Sequence, residues 1–126
     1  LLLLVEDRPE EALEELAAID PNRLPRHLQG ALSLHAVEAH LRLSEWDAAE
    51  RVLDGYSADA LNENGRALRS NARARICLGR GEARSALRVL DEILPVPAEV
   101  KDEIEKTRAQ ARRALDGESP DPEPAA

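Results

Sequence analysis

Leucine recurs at Leu4, Leu41, Leu78 and Leu115, each 37 residues after the last, and the same step links Ala12, Ala49 and Ala86, and Leu16, Leu53 and Leu90. A repeat of this size fits a two-helix unit. Such a unit has an apolar face that it cannot bury alone and covers it by stacking on the next copy. The step therefore predicts an all-α solenoid of stacked antiparallel helical hairpins. The 126 residues hold about three units, near the minimum that lets stacked copies share a core.

Hydrophobic spacing places the elements. Pro9 suits the first turn of a helix running through Glu10 to Ile19, with Ala12, Leu13, Leu16 and Ile19 on one side, and Asp20-Pro21-Asn22 stops it. A long helix is expected over Arg26 to Leu43. It is apolar around most of its circumference through Leu28, Leu32, Leu34, Val37, Ala39, Leu41 and Leu43, as in an element covered on several sides, so it is expected to be central. Ser44 and Glu45 turn the chain into a helix over Trp46 to Tyr56. A third long helix, from about Asn62 or Gly65 to Leu78, ends at Gly79-Arg80-Gly81, where glycine favours a left-handed turn. Glu82 to Leu94 repeats the short helix, and Pro95-Val96-Pro97 breaks it.

One more helix, from about Ala98 to Leu115, repeats Ala74 and Leu78 at Ala111 and Leu115 and carries many charges, as a solvent-facing cap requires. The organisation is a partial first repeat over residues 1–21, a second over 22–57, a third over 58–96 and a capping helix over 97–116. Residues 117–126 form an acidic, proline-rich tail expected to be disordered. The chain starts inside an apolar pattern and without methionine, so it is read as the C-terminal part of a larger protein.

The unit, a long helix, a turn with a small residue and an acid, then a helix led by alanine, resembles the tetratricopeptide repeat. The matching residues are Leu41, Glu45, Trp46, Ala49 and Leu53 in one copy and Ala74, Leu78, Gly81, Glu82, Ala86 and Leu90 in the next. Leu4, Asp7, Ala12, Leu16 and Ile19 continue the pattern upstream. The resemblance covers about residues 1–116. It implies a right-handed α-α superhelix and a protein-interaction or scaffold function, with a partner segment held in a concave groove lined by the first helices. Three departures stand out: a step of 37 where the family's is about 34, Val37 where a small residue is usual, and second helices about a turn short before Asp20-Pro21. Arg69 and Arg73 have the i, i+4 spacing of part of the family's carboxylate clamp, whereas Leu32 and Ala36 occupy the equivalent places one repeat earlier.

The residue types argue against other classes. A net charge of −8 disfavours nucleic acid, whose binding rests on neutralised phosphates, and Trp46 and Tyr56 are too few for a base-stacking platform. Leu1 to Val5 is too short for a membrane span. His27, His35 and His40 lack the i, i+4 spacing that turns two imidazoles towards one metal ion. No nucleophile–base spacing and no phosphate loop occur. Cys77 stands alone and fits a reducing, cytoplasmic setting. The expectation is a binding module, with no enzyme activity, cofactor or metal.

Charge patterning supplies the candidate surfaces. Arg66, Arg69, Arg73 and Arg80 share one side of the third long helix, a stripe able to take an acidic partner segment or to be balanced by Glu50, Asp54 and Asp91. Arg75 falls on the apolar side of the same helix. Its equivalents one unit away are Glu38 and Arg112, so a polar ladder across neighbouring first helices is expected. The resemblance puts that row in the groove. The groove candidates are Leu34, Glu38, Leu41 and Arg42, then Asn71, Arg75 and Leu78, then Arg108 and Arg112. Two alternatives are a homo-oligomerisation module that packs through Leu1 to Leu4 and Leu13, and a regulatory domain attached to an upstream enzyme.

Overall fold

A computed structural model describes the backbone of residues 2–55 and 61–118. These residues are all-α: α1 (Leu2–Asp7), α2 (Pro9–Ala17), α3 (Arg26–Arg42), α4 (Trp46–Asp54), α5 (Glu63–Gly79), α6 (Ala83–Asp91) and α7 (Lys101–Glu118). Single 3-10 turns lie at Pro21–Arg23 and Ala98–Val100. Each odd-numbered helix packs on the even-numbered helix that follows it and on the next odd-numbered helix, and each even-numbered helix packs against the odd-numbered one on either side.

The repeating residues hold this arrangement. Ala12, Ala49 and Ala86 are all fully buried, as are Leu53 and Leu90, while Leu16 is half-buried. A small residue at the first set lets the helices of a hairpin approach closely, and the leucines fill the space between hairpins. Leu53 joins Val37, Leu41, Ala49, Ala72 and Ile76 in one cluster, and Leu90 joins Ala67, Ala74, Ala86, Ile104 and Ala111 in the next.

The turn inside each hairpin repeats as well. Ser44 and Gly81, 37 residues apart, both have positive φ, 57° and 77°. Glu45 N–H donates to His40 O at 2.9 Å and Glu82 N–H to Cys77 O at 2.8 Å, with Ser44 on Leu41 O and Gly81 on Leu78 O, each at 3.1 Å. Both helix ends are thus Schellman motifs that satisfy carbonyls otherwise left open. At the start of α5, Asn62 Oδ1 accepts from Gly65 N–H at 2.8 Å, an N-cap.

Several expected boundaries move. The chain leaves α6 at Asp91 rather than Leu94, because Pro95 favours an extended residue before it. Helix α7 continues to Glu118, so Gly117 belongs to it; the rest of the tail, 119–126, lies outside the described residues, as do Tyr56 and 57–60. The helix expected to be central is less enclosed than α5. Leu28 is 43% exposed and Leu32 and Leu34 are half-buried, because the neighbouring first helix, α1, spans 6 residues where α5 spans 17. Helix α5 buries Gly65, Ala67, Asn71, Ala72, Ala74 and Ile76.

Candidate functional site

A groove of about 610 Å³ runs across the odd-numbered helices. Helix α1 contributes Glu6 to its lining, and α3 contributes Leu34, His35, Val37, Glu38, Leu41 and Arg42. Leu68, Asn71, Ala72 and Arg75 come from α5, and Glu103, Lys106, Thr107 and Gln110 from α7. None of the described lining residues comes from an even-numbered helix. Helical spacing explains the sets, since residues three, four and seven apart share a face.

At the middle of the groove Glu38 bridges two arginines. Its Oε1 accepts from Arg75 Nη1 at 2.5 Å, and its Oε2 accepts from Arg75 Nη2 at 3.1 Å and from Arg42 Nε at 2.8 Å. The two ends of the Glu38–Arg75 fork are 23% and 27% exposed, so the pair is partly desolvated and each charge depends on the other. Glu38→Ala is expected to cost roughly 1 to 3 kcal/mol by leaving Arg75 unpaired, reduced where water reaches it. In a double-mutant cycle with Arg75→Ala the joint cost should fall below the sum of the singles. Additive costs in chemical denaturation would mean that the fork contributes nothing.

Burial pushes the Glu38 carboxyl up, but the hydrogen bond and charge of Arg75, followed by those of Arg42, outweigh it and hold the group below its ordinary value of 4.5. Since the folded value is the lower one, the unfolded chain takes up the proton first. The stabilisation is complete above about pH 4.5 and is lost as pH falls through the depressed folded value. His35 is also lowered from its ordinary 6.5, chiefly by burial, with the Glu38 carboxylate opposing. Its contribution has the same sign and begins to fade below about pH 6.5. A Glu38→Gln protein should therefore show a shallower fall in melting temperature between about pH 4.5 and pH 3 than the parent. An unchanged slope there would assign the acid limb to other carboxylates.

The structure brings six of the nine groove candidates together: Leu34, Glu38, Leu41, Arg42, Asn71 and Arg75. Leu78 instead packs, half-buried, on the cluster around Leu90. Arg108 turns away from the groove and donates to Asp91 of α6 at 2.5 Å. Arg112 is exposed and outside the groove, so the expected three-membered ladder stops at Glu38 and Arg75. In the core the step of 37 holds, with Ala67 and Ala74 repeated at buried Ile104 and Ala111, but on the groove side the offset is 35. The helical run of the cap begins at Ala98, 35 residues after Glu63 rather than 37. Leu68, Asn71, Ala72 and Arg75 are accordingly matched across the groove by Glu103, Lys106, Thr107 and Gln110, each 35 positions on. The clue in the sequence was the proline pair at Pro95 and Pro97, which displaces the helix start.

The arginine stripe forms a seam. Arg80 donates to Asp47 at 2.6 Å and to Glu50 at 3.1 and 3.2 Å, Arg73 to Asp54 at 2.9 Å, and Arg69 to Leu53 O at 3.2 Å. These bonds clamp α5 onto α4. Its hydrogen bonds to Glu50 and Asp47 raise the Arg80 pKa further above its already high value. Arg66 donates to Leu61 O at 2.9 Å and edges a second, smaller cavity of about 310 Å³. Asp54 and Asp91 are 37 apart and accept from Arg73 and Arg108, so the seam repeats between α6 and α7 with the shortened step.

The remaining singled-out residues are structural in their surroundings. His40 Nδ1 lies 2.8 Å from Glu45 Oε1 and braces the Schellman turn. The His27 side chain lies outside the described residues, as do those of Leu1 to Leu4, while Leu13 packs half-buried on Val5, Ala12 and Ala39. Burial, with Glu82 adding to it, pushes the Cys77 thiol up, away from thiolate chemistry. Among the described residues no group of three or more His, Cys, Asp or Glu is placed to hold a metal ion, and no helix is long and apolar enough to cross a membrane. No protein-family model, curated protein or solved structure matches the chain.

Proposed function

We propose that the chain is a protein-interaction module: a right-handed solenoid of tetratricopeptide-like hairpins that holds a partner segment in the groove across α1, α3, α5 and α7. The observation that carries this reading is that every described residue lining the groove lies on an odd-numbered helix, the first of each successive hairpin. A stack in which the second helices lie outside leaves such a surface concave and continuous, and surfaces of this kind serve extended partners. The lining mixes Leu34, Leu41 and Leu68 with charged and amide side chains, which supplies both apolar area and orienting polar contacts.

The test is to pan a displayed random-peptide library against the full chain and to map the selected peptides by backbone amide shifts. Perturbations should collect on Leu34, Leu41, Leu68, Ala72 and Thr107 and spare the outer faces of α4 and α6. Selected peptides that perturb α4 and α6 instead would refute a groove function.

A further inference from the structure

We infer that Asn64 is a site of spontaneous deamidation, and that its rate is set by two hydrogen bonds, the one Asn62 accepts from Gly65 and the one Asn64 itself donates to Glu99. Asn64-Gly65 is the one Asn-Gly pair in the sequence. Conversion begins when the Gly65 backbone nitrogen, having lost its proton to hydroxide, attacks Cγ of Asn64. A cyclic imide forms and the side-chain nitrogen leaves as ammonia, taking a proton from water and so regenerating hydroxide. Water then opens the ring at either carbonyl to give aspartate or isoaspartate. Glycine in second place has no side chain to hinder ring closure. It is not readily exchanged either, because a Cβ at Gly65 would lie 3.1 and 3.2 Å from side-chain atoms of Leu61.

One side chain holds the nucleophile. Asn64 and Gly65 lie in the first turn of α5, where backbone N–H groups have no intrahelical carbonyl to bond. Leu61 O, the carbonyl four residues before Gly65, accepts from Arg66 Nη1 at 2.9 Å instead. Among the described residues Gly65 N–H donates only to Asn62 Oδ1, at 2.8 Å. A nitrogen deeper in the helix is freed only by unwinding α5, whereas this one is freed when the Asn62 side chain swings away.

The electrophile is held by the cap. Asn64 Nδ2 donates to Glu99 Oε2 at 2.8 Å, across to the 3-10 turn Ala98–Val100 that leads into α7. While that bond lasts, the amide is fixed on the cap and Cγ is not free to rotate onto the Gly65 nitrogen. The product has no donor at this point, and aspartate sets a carboxylate against Glu99. The reaction therefore acts on a contact that seats the cap on α5.

The experiment incubates the full chain at mildly alkaline pH and follows the gain in mass on Asn64 by tandem mass spectrometry, with the same chain in urea as the fully open reference. The folded parent should convert measurably, but at least about tenfold more slowly than in urea. Asn62→Ala should speed the folded protein about fivefold, the ratio that loss of a cap implies, while Asn62→Ser, which keeps a capping oxygen, stays near the parent. Glu99→Ala, at an exposed position, should speed it about twofold or more, as loss of an exposed hydrogen bond implies. In urea all four proteins should convert alike. A folded parent that converts as fast as in urea, or not at all while the urea sample is fully converted, overturns the inference. So does an Asn62→Ala rate equal to that of the parent or of Asn62→Ser, or an unchanged rate in Glu99→Ala. Should a melting curve show Asn62→Ala to be unfolded, the Glu99→Ala rate decides alone.

Discussion

Leu90→Ala and Leu53→Ala are each expected to destabilise the chain by about 2 to 5 kcal/mol in chemical denaturation. Both side chains are fully buried and of the largest of that kind, and each sits at the point where two successive hairpins meet. Leu90 fills space among Ala67, Ala74, Ala86, Ile104 and Ala111, and Leu53 among Val37, Ala49, Ala72 and Ile76. The alanines around them have no rotamers with which to close the gap, so little of the cavity can collapse and the cost should lie in the upper part of that range. The two losses should be similar because the positions are equivalent, 37 residues apart. Leu16→Ala should cost clearly less, as that member of the series is only half-buried. Near-parental stability of either Leu53→Ala or Leu90→Ala would break the stacking described for these hairpins.

Gly79→Ala is the second large effect, expected at about 3 kcal/mol, the upper end for overpacking. A Cβ at Gly79 would fall within the Trp46 indole, against its Cδ2, Cε2 and Cζ2 atoms. Trp46 opens α4 and packs on the cluster of Val37, Leu41, Leu53 and Ile76, so it can yield only by giving up that contact. Helix propensity works in the opposite direction, favouring alanine over glycine by up to about 1 kcal/mol. The sign of the measured change therefore separates the steric effect from the intrinsic one. A Gly79→Ala protein as stable as its parent would show that the indole is not seated on this glycine. A smaller tryptophan replacement, Trp46→Leu, should make Gly79→Ala nearly harmless, because the atoms it strikes are gone.

The arginine seam shows how a charge pattern can be visible in the sequence while its role is decided elsewhere. Arg66, Arg69, Arg73 and Arg80 lie on one helical side by spacing alone. Whether such a row faces solvent or a neighbour depends on where the preceding hairpin puts its acids. Asp47, Glu50 and Asp54 come from α4, and their carboxylates meet Arg80 and Arg73 across the contact between α4 and α5. Arg69, Arg73 and Arg80 thus join two hairpins.

By itself the sequence determined the helical hairpins, the alanine and leucine positions buried at their contacts, and the meeting of Glu38 with Arg75. All three follow from one step of 37 residues, since equivalent positions on equivalent units face equivalent neighbours. Only the tertiary structure decided what lies opposite α5 on the cap. Its core positions Ile104 and Ala111 keep the step of 37 from Ala67 and Ala74, whereas Arg108 lies on Asp91 and Lys106 and Gln110 line the groove, 35 residues after Arg73, Asn71 and Arg75. That buried Asn71 Oδ1 has no donor among the described residues was equally beyond the sequence, because whether a buried amide finds a donor depends on neighbours brought by other helices.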